Sequence, residues 1–149
     1  MKRCLCCYRP LHAGEIDYHP QCAKKIFGSP TAPVLPYTRK DINDLAQVIV
    51  ANSITVTGVQ SKLSIDLQQD NTGGPQRLTT VGLMGRYILK PQTERFERLP
   101  EIEDLSMHLA EIAKIPTVPH ALIRFVDGEL NYITPVSYTH LTLPTNREV

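Results

Sequence analysis

Tryptophan is absent from this 149-residue chain, and aromatic residues make up only 6% of it. Hydrophobic residues still make up 42%, so we expect a globular core built mostly of leucine, isoleucine and valine. No apolar run approaches the roughly 20 residues of a membrane-spanning helix. No apolar secretory stretch follows Met1 either. We therefore expect a cytoplasmic protein that does not contact a membrane.

Blocks of like charge are also missing, although the net charge of +1 hides an asymmetry. Residues 1–40 contain seven Lys/Arg and two Asp/Glu, whereas residues 41–149 contain nine and thirteen. A basic N-terminal segment could contact nucleic acid or an acidic partner. Because no aromatic residues interleave with a basic stripe, a solvated surface is the favoured interpretation. Direct nucleic-acid binding is not expected.

All four cysteines lie within the first 22 residues, which is typical of a local site rather than a scattered set. Cys4 and Cys7 form a C-x-x-C pair, and His19 and Cys22 form an H-x-x-C pair. Zinc is held tetrahedrally by thiolates and imidazoles, and this spacing lets one tight turn present two ligands. The pattern predicts a structural zinc site made by these four residues, with Cys6 left over or replacing Cys4.

Two other interpretations of the cysteine cluster remain open: a redox Cys-x-x-Cys pair, and a former site that has lost its metal. A thioredoxin-like pair should follow a strand in a βαβ pattern, whereas the flanking residues here are typical of a short knuckle and hairpin. Structural zinc is therefore favoured. Four protein ligands would close the coordination sphere, so no catalysis is expected there.

Hydrophobic periodicity and turn residues predict an α+β fold for the rest of the chain. One helix is predicted over residues 40–51, and a second begins at Pro100. The second helix is expected to bury a stripe that consists of Ile102, Leu105, Leu109 and Ile112. Strands of an antiparallel sheet are predicted at residues 63–68, 78–81, 86–90, 121–126 and 129–134.

The predicted domain organisation has four parts. A Cys/His head over residues 1–28 precedes a proline-rich linker, residues 29–37, and an α+β lobe, residues 38–136. Residues 137–149 show no partner pattern and resemble translated sequencing-adapter sequence. We expect this tail to be non-native and the chain to be an N-terminal fragment. A frayed genuine tail is the alternative.

Three short segments contain the side chains that a kinase-type ATP site needs from its first lobe. They are the loop Thr55–Lys62, the strand Tyr87–Lys90 and the helix start Leu99–Glu103. A glycine-containing loop can aim backbone N–H groups at phosphates. A strand lysine can reach the phosphates, and a helix glutamate can hold that lysine in place. Taken alone, the loop also fits a plain turn into a strand, and the two charges also fit an ordinary surface pair.

The order of these segments resembles the HipA family of bacterial serine/threonine kinases, the toxin half of a toxin–antitoxin pair. The resemblance runs from about Thr38 to Thr134. Thr55 stands where the family has a serine, and Ile102 stands where it has an asparagine. The resemblance implies a kinase-like N-terminal lobe, with the second lobe missing from this chain. Certain HipA-like chains also have a short Cys/His head, which favours the zinc interpretation.

The resemblance also implies a set of site residues. The expected nucleotide-binding residues are Thr57, Gly58, Val59, Gln60, Ser61, Lys62, Lys90 and Glu103. Thr55, and less directly Thr57, would be autophosphorylation sites that eject the loop. The catalytic loop and the Mg²⁺ ligands would lie outside this chain, so no catalytic residue is expected within it. The implied partners are a protein substrate, such as an aminoacyl-tRNA synthetase, and a cognate antitoxin.

A non-enzymatic, zinc-headed module that binds a partner protein is the alternative function. The sequence assigns no role to four of the histidines, because they show neither ligand spacing nor triad spacing. These are His12, His108, His120 and His140.

Overall fold

The computed structural model describes residues 2–52, 62–68, 76–80 and 85–136. Within these ranges the chain has a mixed α/β fold with three helices and a curled, five-stranded antiparallel sheet. The helices are α1 (Pro20–Phe27), α2 (Arg39–Asn52) and α3 (Leu99–Ile112). The strands are β1 (Leu63–Gln68), β2 (Arg77–Thr80), β3 (Tyr87–Lys90), β4 (Ala121–Arg124) and β5 (Leu130–Pro135).

The strand order in the sheet is β2-β1-β3-β5-β4, and all neighbouring strands run antiparallel. Buried apolar residues lie side by side across four of these strands: Leu63 faces Leu89, Leu89 faces Ile133, and Ile133 faces Ala121. After β3 the chain leaves the sheet, forms α3 and re-enters the sheet at the outer strand β4. The last strand, β5, then lies between β4 and β3. The predicted strands are therefore confirmed, with ends that shift by one or two residues.

Local hydrogen bonds fix one turn of the sheet and the start of α2. In the β4–β5 hairpin, Gly128 adopts a left-handed φ of 90° and its N–H donates to Phe125 O at 3.0 Å. At the start of α2, the Thr38 N–H donates to Asp41 Oδ2 at 2.7 Å and the Asp41 N–H donates to Thr38 Oγ1 at 3.3 Å. This reciprocal pair is a capping box, which satisfies donors that the first helical turn leaves free.

The first 28 residues pack directly on the sheet. Leu5 accepts a hydrogen bond from the N–H of Leu122 on β4 at 2.9 Å, and the Tyr18 hydroxyl donates to the carbonyl of Leu122. Cys4, Leu5 and Tyr18 belong to the same buried cluster as the sheet residues. The helix α1, which the sequence analysis did not predict, adds Ala23, Ile26 and Phe27 to that cluster.

The proline-rich segment lies along the edge of the sheet. Val34 donates to Gln76 O and accepts from the Leu78 N–H, each at 2.9 Å, so it pairs with the start of β2. Leu35 beside it is buried. The segment between head and lobe is thus held in place by the sheet.

The prediction that α3 buries an aliphatic stripe is wrong. The four residues are 54%, 48%, 56% and 78% exposed, in the order Ile102, Leu105, Leu109 and Ile112. The buried residues of this helix are Pro100 and Asp104 instead. Polar partners on the head and on the sheet determine which face of α3 turns inward.

Within the described ranges, no helix combines the length and the apolar character that crossing a bilayer requires. The tail, residues 137–149, lies outside those ranges, and so does most of the predicted phosphate loop.

Candidate functional site

Lys90 and Glu103, two of the predicted site residues, form an ion pair between β3 and α3. Lys90 is the last residue of β3, and Glu103 lies in the first turn and a half of α3. Their side chains are 30% and 24% exposed, so the pair is partly withdrawn from water. The structure therefore brings together the strand lysine and the helix glutamate that the sequence analysis paired.

The loop between β3 and α3 fixes the position of this pair. Pro91 follows Lys90 directly and has no N–H with which to continue the ladder. The side chain of Gln92 then accepts a hydrogen bond from the Leu99 N–H at 3.1 Å, which caps the first turn of α3. Because this cap joins the end of β3 to the start of α3, it holds Glu103 opposite Lys90.

The Lys90 ammonium lies over the aromatic ring of Tyr132. Tyr132 lies opposite Lys90 in the β3–β5 register, and the ammonium is 5.4 Å from the centre of its ring. Burial raises the pKa of the Tyr132 hydroxyl to about 12, and the nearby carboxylates of Glu103 and Asp104 add to that rise. The phenol is therefore neutral at physiological pH, and the ring offers a cation–π contact.

The other predicted nucleotide-binding residues, Thr57–Ser61, lie outside the described residues, as does the predicted phosphorylation site Thr55. Lys62 is described, and it is exposed immediately before β1. The structure thus places Lys62, Lys90 and Glu103 of the predicted set, and it pairs the last two.

In the head, Cys4, Cys7 and His19 each offer a ligand atom, and these atoms all lie within 4.8 Å of one another. A tight turn brings the two cysteines together: the Tyr8 N–H donates to Cys4 O at 3.0 Å, and Tyr8 has a left-handed φ of 62°. These three residues are close enough to bind one metal ion.

The thiols in the head differ in how readily they ionise. Burial alone would raise the pKa of Cys4, but backbone hydrogen bonds from Cys6, Cys7 and His19 outweigh burial and lower it. Burial and the neighbouring Cys6 and Cys4 raise the pKa of Cys22. Cys22, the predicted fourth ligand, is not among the residues of the 4.8 Å group. Backbone hydrogen bonds thus favour the thiolate form of Cys4, which is the form that binds a metal.

Cys6 is not part of the 4.8 Å group. It is buried, its thiol lies 3.9 Å from His120 O, and burial raises its pKa to about 11. Cys4 rather than Cys6 therefore belongs to the candidate metal cluster.

Glu15 orients the imidazole of this cluster, and the sequence analysis missed it. Its carboxylate lies 2.7 Å from Nδ1 of His19 and accepts the His12 N–H at 2.8 Å. The His12 N–H and the His19 ring lower the pKa of Glu15, with the N–H having the larger effect. With Nδ1 engaged by a carboxylate, Nε2 of His19 is the nitrogen free to bind a metal, as in carboxylate–histidine–zinc arrangements.

A second polar cluster lies between the head, α3 and β4, around the fully buried carboxylate of Asp104. The Tyr8 hydroxyl donates to its Oδ2, and Nδ1 of His120 lies 2.6 Å from its Oδ1. Burial alone would lower the pKa of His120, but Asp104 and Glu111 outweigh burial and raise it. Asp104 thus ties the knuckle of the head to the helix that holds Glu103.

The sequence analysis assigned no role to His108 and His120 and did not single out Asp104, yet all three lie in this second cluster. Part of the signal was present: Asp104, His108 and Glu111 follow one another at spacings of four and three, which places them on one face of a helix. Nothing in the local sequence pointed to Tyr8 or His120, since they reach the helix only through the tertiary fold.

An open cavity of about 680 Å³ lies elsewhere, between the head hairpin, the proline-rich segment and β4. Tyr18, Leu35 and Phe125 are among its lining residues, whereas Lys90 and Glu103 do not line it. A ligand in this cavity would not contact the ion pair, so the cavity carries no argument about a nucleotide.

Neither a protein-family model nor a curated protein matches this sequence.

Proposed function

We propose that this chain is the nucleotide-binding lobe of a HipA-like, ATP-dependent protein serine/threonine kinase. The observation that carries the proposal is the ion pair between Lys90, on the third strand, and Glu103, on the helix that follows it. In protein kinases a lysine of the third strand and a glutamate of the next helix must pair before phosphoryl transfer occurs. The same two residue types occupy the corresponding elements here.

The exposed face of α3 supports a role as one lobe of a larger protein. Four large aliphatic side chains on this helix are about half exposed or more, and Ile115 and Val118 beyond it are 58% and 53% exposed. Contiguous apolar surface of this kind marks a contact with another protein surface. A second lobe that packs on α3 would cover it and would supply the catalytic loop and the Mg²⁺ ligands.

In this proposal the chain's own residues position the nucleotide. Lys90 neutralises phosphate charge, Glu103 holds Lys90 in place, and the backbone N–H groups of Thr57–Ser61 with Lys62 surround the phosphates. Phosphorylation of Thr55 or Thr57 would add negative charge where ATP phosphates bind, and so would favour loop-out states. The acceptor would be a protein substrate, such as an aminoacyl-tRNA synthetase, with an antitoxin as the regulatory partner in the cytoplasm.

The head would hold one structural zinc ion. Cys4, Cys7 and His19 are the three clustered ligands, and Cys22, three residues after His19, would be the fourth. The donor set fits zinc, because one thiolate is already stabilised by backbone N–H groups and the imidazole is oriented by Glu15.

The test is phosphoryl transfer by an intact parent protein that contains both lobes. Lys90→Ala should abolish activity, because positioning and charge supply most of the catalysis in this reaction. Glu103→Gln should do less damage, since Lys90 keeps its charge and loses only its anchor. Lys24→Ala, at an exposed lysine of α1, is the matched control and should leave activity unchanged. Full activity in Lys90→Ala would overturn the proposal.

The alternative function is a non-enzymatic module that binds a partner through its zinc head or through α3. The exposed aliphatic stripe of α3 favours it as well. This alternative would be favoured by a parent protein that has no kinase activity and still binds a partner. That binding should survive Lys90→Ala and should be lost when Leu105 and Leu109 are replaced by glutamine.

A further inference from the structure

Asp104, His108 and His120 form a second group of potential metal ligands, away from the cysteines. Their ligand atoms all lie within 4.8 Å of one another. Asp104 and His108 are one turn apart on α3, and His120 immediately precedes β4. The side chains of Asp104 and His120 are 0% and 2% exposed, and that of His108 is 19% exposed. The group is therefore almost fully enclosed.

The inner nitrogens of both histidines face the same carboxylate. Nδ1 of His120 lies 2.6 Å from Asp104 Oδ1, and Nε2 of His108 lies 3.5 Å from Asp104 Oδ2. This Nε2 is buried and has no hydrogen-bond partner among the residues that the structure describes. A buried polar atom without a partner costs free energy and calls for an explanation. A metal ion between the three side chains would provide one.

The outer nitrogens of the same histidines face a second carboxylate. Glu111 Oε1 lies 3.0 Å from Nε2 of His120, and Glu111 Oε2 lies 3.7 Å from Nδ1 of His108. Metal-binding histidines usually donate the N–H of their other nitrogen to a carboxylate, which fixes the tautomer and the ring orientation. Glu111 is placed to do this for His120, and it lies within ion-pair distance of His108.

We propose that Asp104, His108 and His120 bind one divalent zinc-type ion, with Glu111 as the outer partner of the His120 imidazole. Two nitrogens and one oxygen form a donor set that suits zinc and its neighbours in the first transition row. The Tyr8 hydroxyl donates to Asp104 Oδ2 and so lies next to this group. Bound metal would join the knuckle of the head to α3 and β4. This inference does not depend on the kinase proposal.

The test is a titration of the metal-free 149-residue chain with Co²⁺, which substitutes for zinc and is visible spectroscopically. Co²⁺ bound by thiolates has strong charge-transfer absorption, whereas Co²⁺ bound by nitrogen and oxygen shows only weak d–d bands. The proposal predicts one bound equivalent without thiolate charge transfer, in addition to any ion in the cysteine head. His108→Gln should remove that equivalent, and Leu109→Gln, the same replacement at an exposed neighbour, should retain it.

The proposal would be overturned if the chain bound Co²⁺ only with thiolate charge transfer, or bound none. The cluster would then be held together by hydrogen bonds and ion pairs without a metal. Retention of the nitrogen–oxygen equivalent in His108→Gln would overturn it too. If that variant does not fold, the wild-type chain still decides the question by NMR. The ring protons of His108 and His120 must show paramagnetic shifts or broadening with the second equivalent, and unchanged signals contradict the site. A chain that binds the nitrogen–oxygen equivalent but shows no thiolate charge transfer would support this proposal and would contradict the zinc site in the head.

Discussion

The interaction between Lys90 and Glu103 can be measured by a double-mutant cycle in this chain, without any nucleotide. The variants are Lys90→Met, Glu103→Gln and the combination of both. Two unit charges about 4 Å apart near a protein surface attract by about 4 kcal/mol, before desolvation and side-chain entropy are subtracted. Fully exposed pairs retain only about 0.2–1 kcal/mol of this attraction. Because these side chains are 30% and 24% exposed, we expect a coupling free energy of about 1–2 kcal/mol.

Tyr132 makes the two single variants unequal. Lys90→Met loses both the ion pair and the cation–π contact at 5.4 Å, whereas Glu103→Gln loses only the ion pair. A cation–π contact at a partly exposed site contributes about 0.5–1 kcal/mol. The lysine variant should therefore be the less stable of the two by about that amount. The free energies of unfolding would be measured by urea titration of all four proteins.

The matched control is the ion pair between Arg86 and Asp66 on the same sheet. Its Nε–Oδ1 distance is 2.5 Å, but its side chains are 62% and 32% exposed. The same cycle at this pair should give a coupling of less than about 1 kcal/mol. A Lys90–Glu103 coupling below about 0.5 kcal/mol, which is the scatter between independent sites, would refute the pairing on which the proposed function depends.

Three further predictions concern the sheet and the head. Gly85→Ala should destabilise the chain by about 1–3 kcal/mol in urea unfolding, because a Cβ would lie within 3.0 Å of the Ile65 backbone; an unchanged midpoint would contradict this close approach. Tyr8→Phe should cost about 1.5–3 kcal/mol, since it removes a hydrogen bond to the buried charge of Asp104; a neutral effect would show that the contact is not formed. Cys22→Ser should lose the zinc measured in the purified protein, whereas a metal content equal to wild type would rule out Cys22 as a ligand.

Local chemistry made much of the fold predictable. Leu63 and Ile65 alternate with polar residues, which predicted a strand with one face on the core, and both side chains are buried in the structure. Asp127 followed by Gly128 is typical of a hairpin turn, and Thr38 followed three residues later by Asp41 is typical of a helix start, as the structure has them. These features depend on a few consecutive residues, so a single sequence contains enough information to find them. The same holds for Cys4, Cys7 and His19, whose spacing alone indicated a metal cluster.

The polar cluster around Asp104 could not be predicted in the same way. Charged residues are almost never fully buried unless they are paired, so a sequence pattern places them on the surface by default. The partners that reverse this expectation, Tyr8 and His120, lie 96 and 16 residues away along the chain. Only the packing of the head on β4 brings them together, and no periodicity within α3 reports that packing.

Helix α3 shows why a correct pattern still gave a wrong orientation. Helical spacing correctly places Ile102, Leu105 and Leu109 on one face, but it does not say which surface that face contacts. Turning α3 over would bury this stripe, and each aliphatic side chain would gain about 1.5–3 kcal/mol if fully buried. The same rotation would break the pairing of Glu103 and leave Asp104 without its partners, and breaking a buried charge network costs about 3–5 kcal/mol. In the structure the polar contacts from three elements occupy the inward face of α3, and the apolar face remains available to a partner surface.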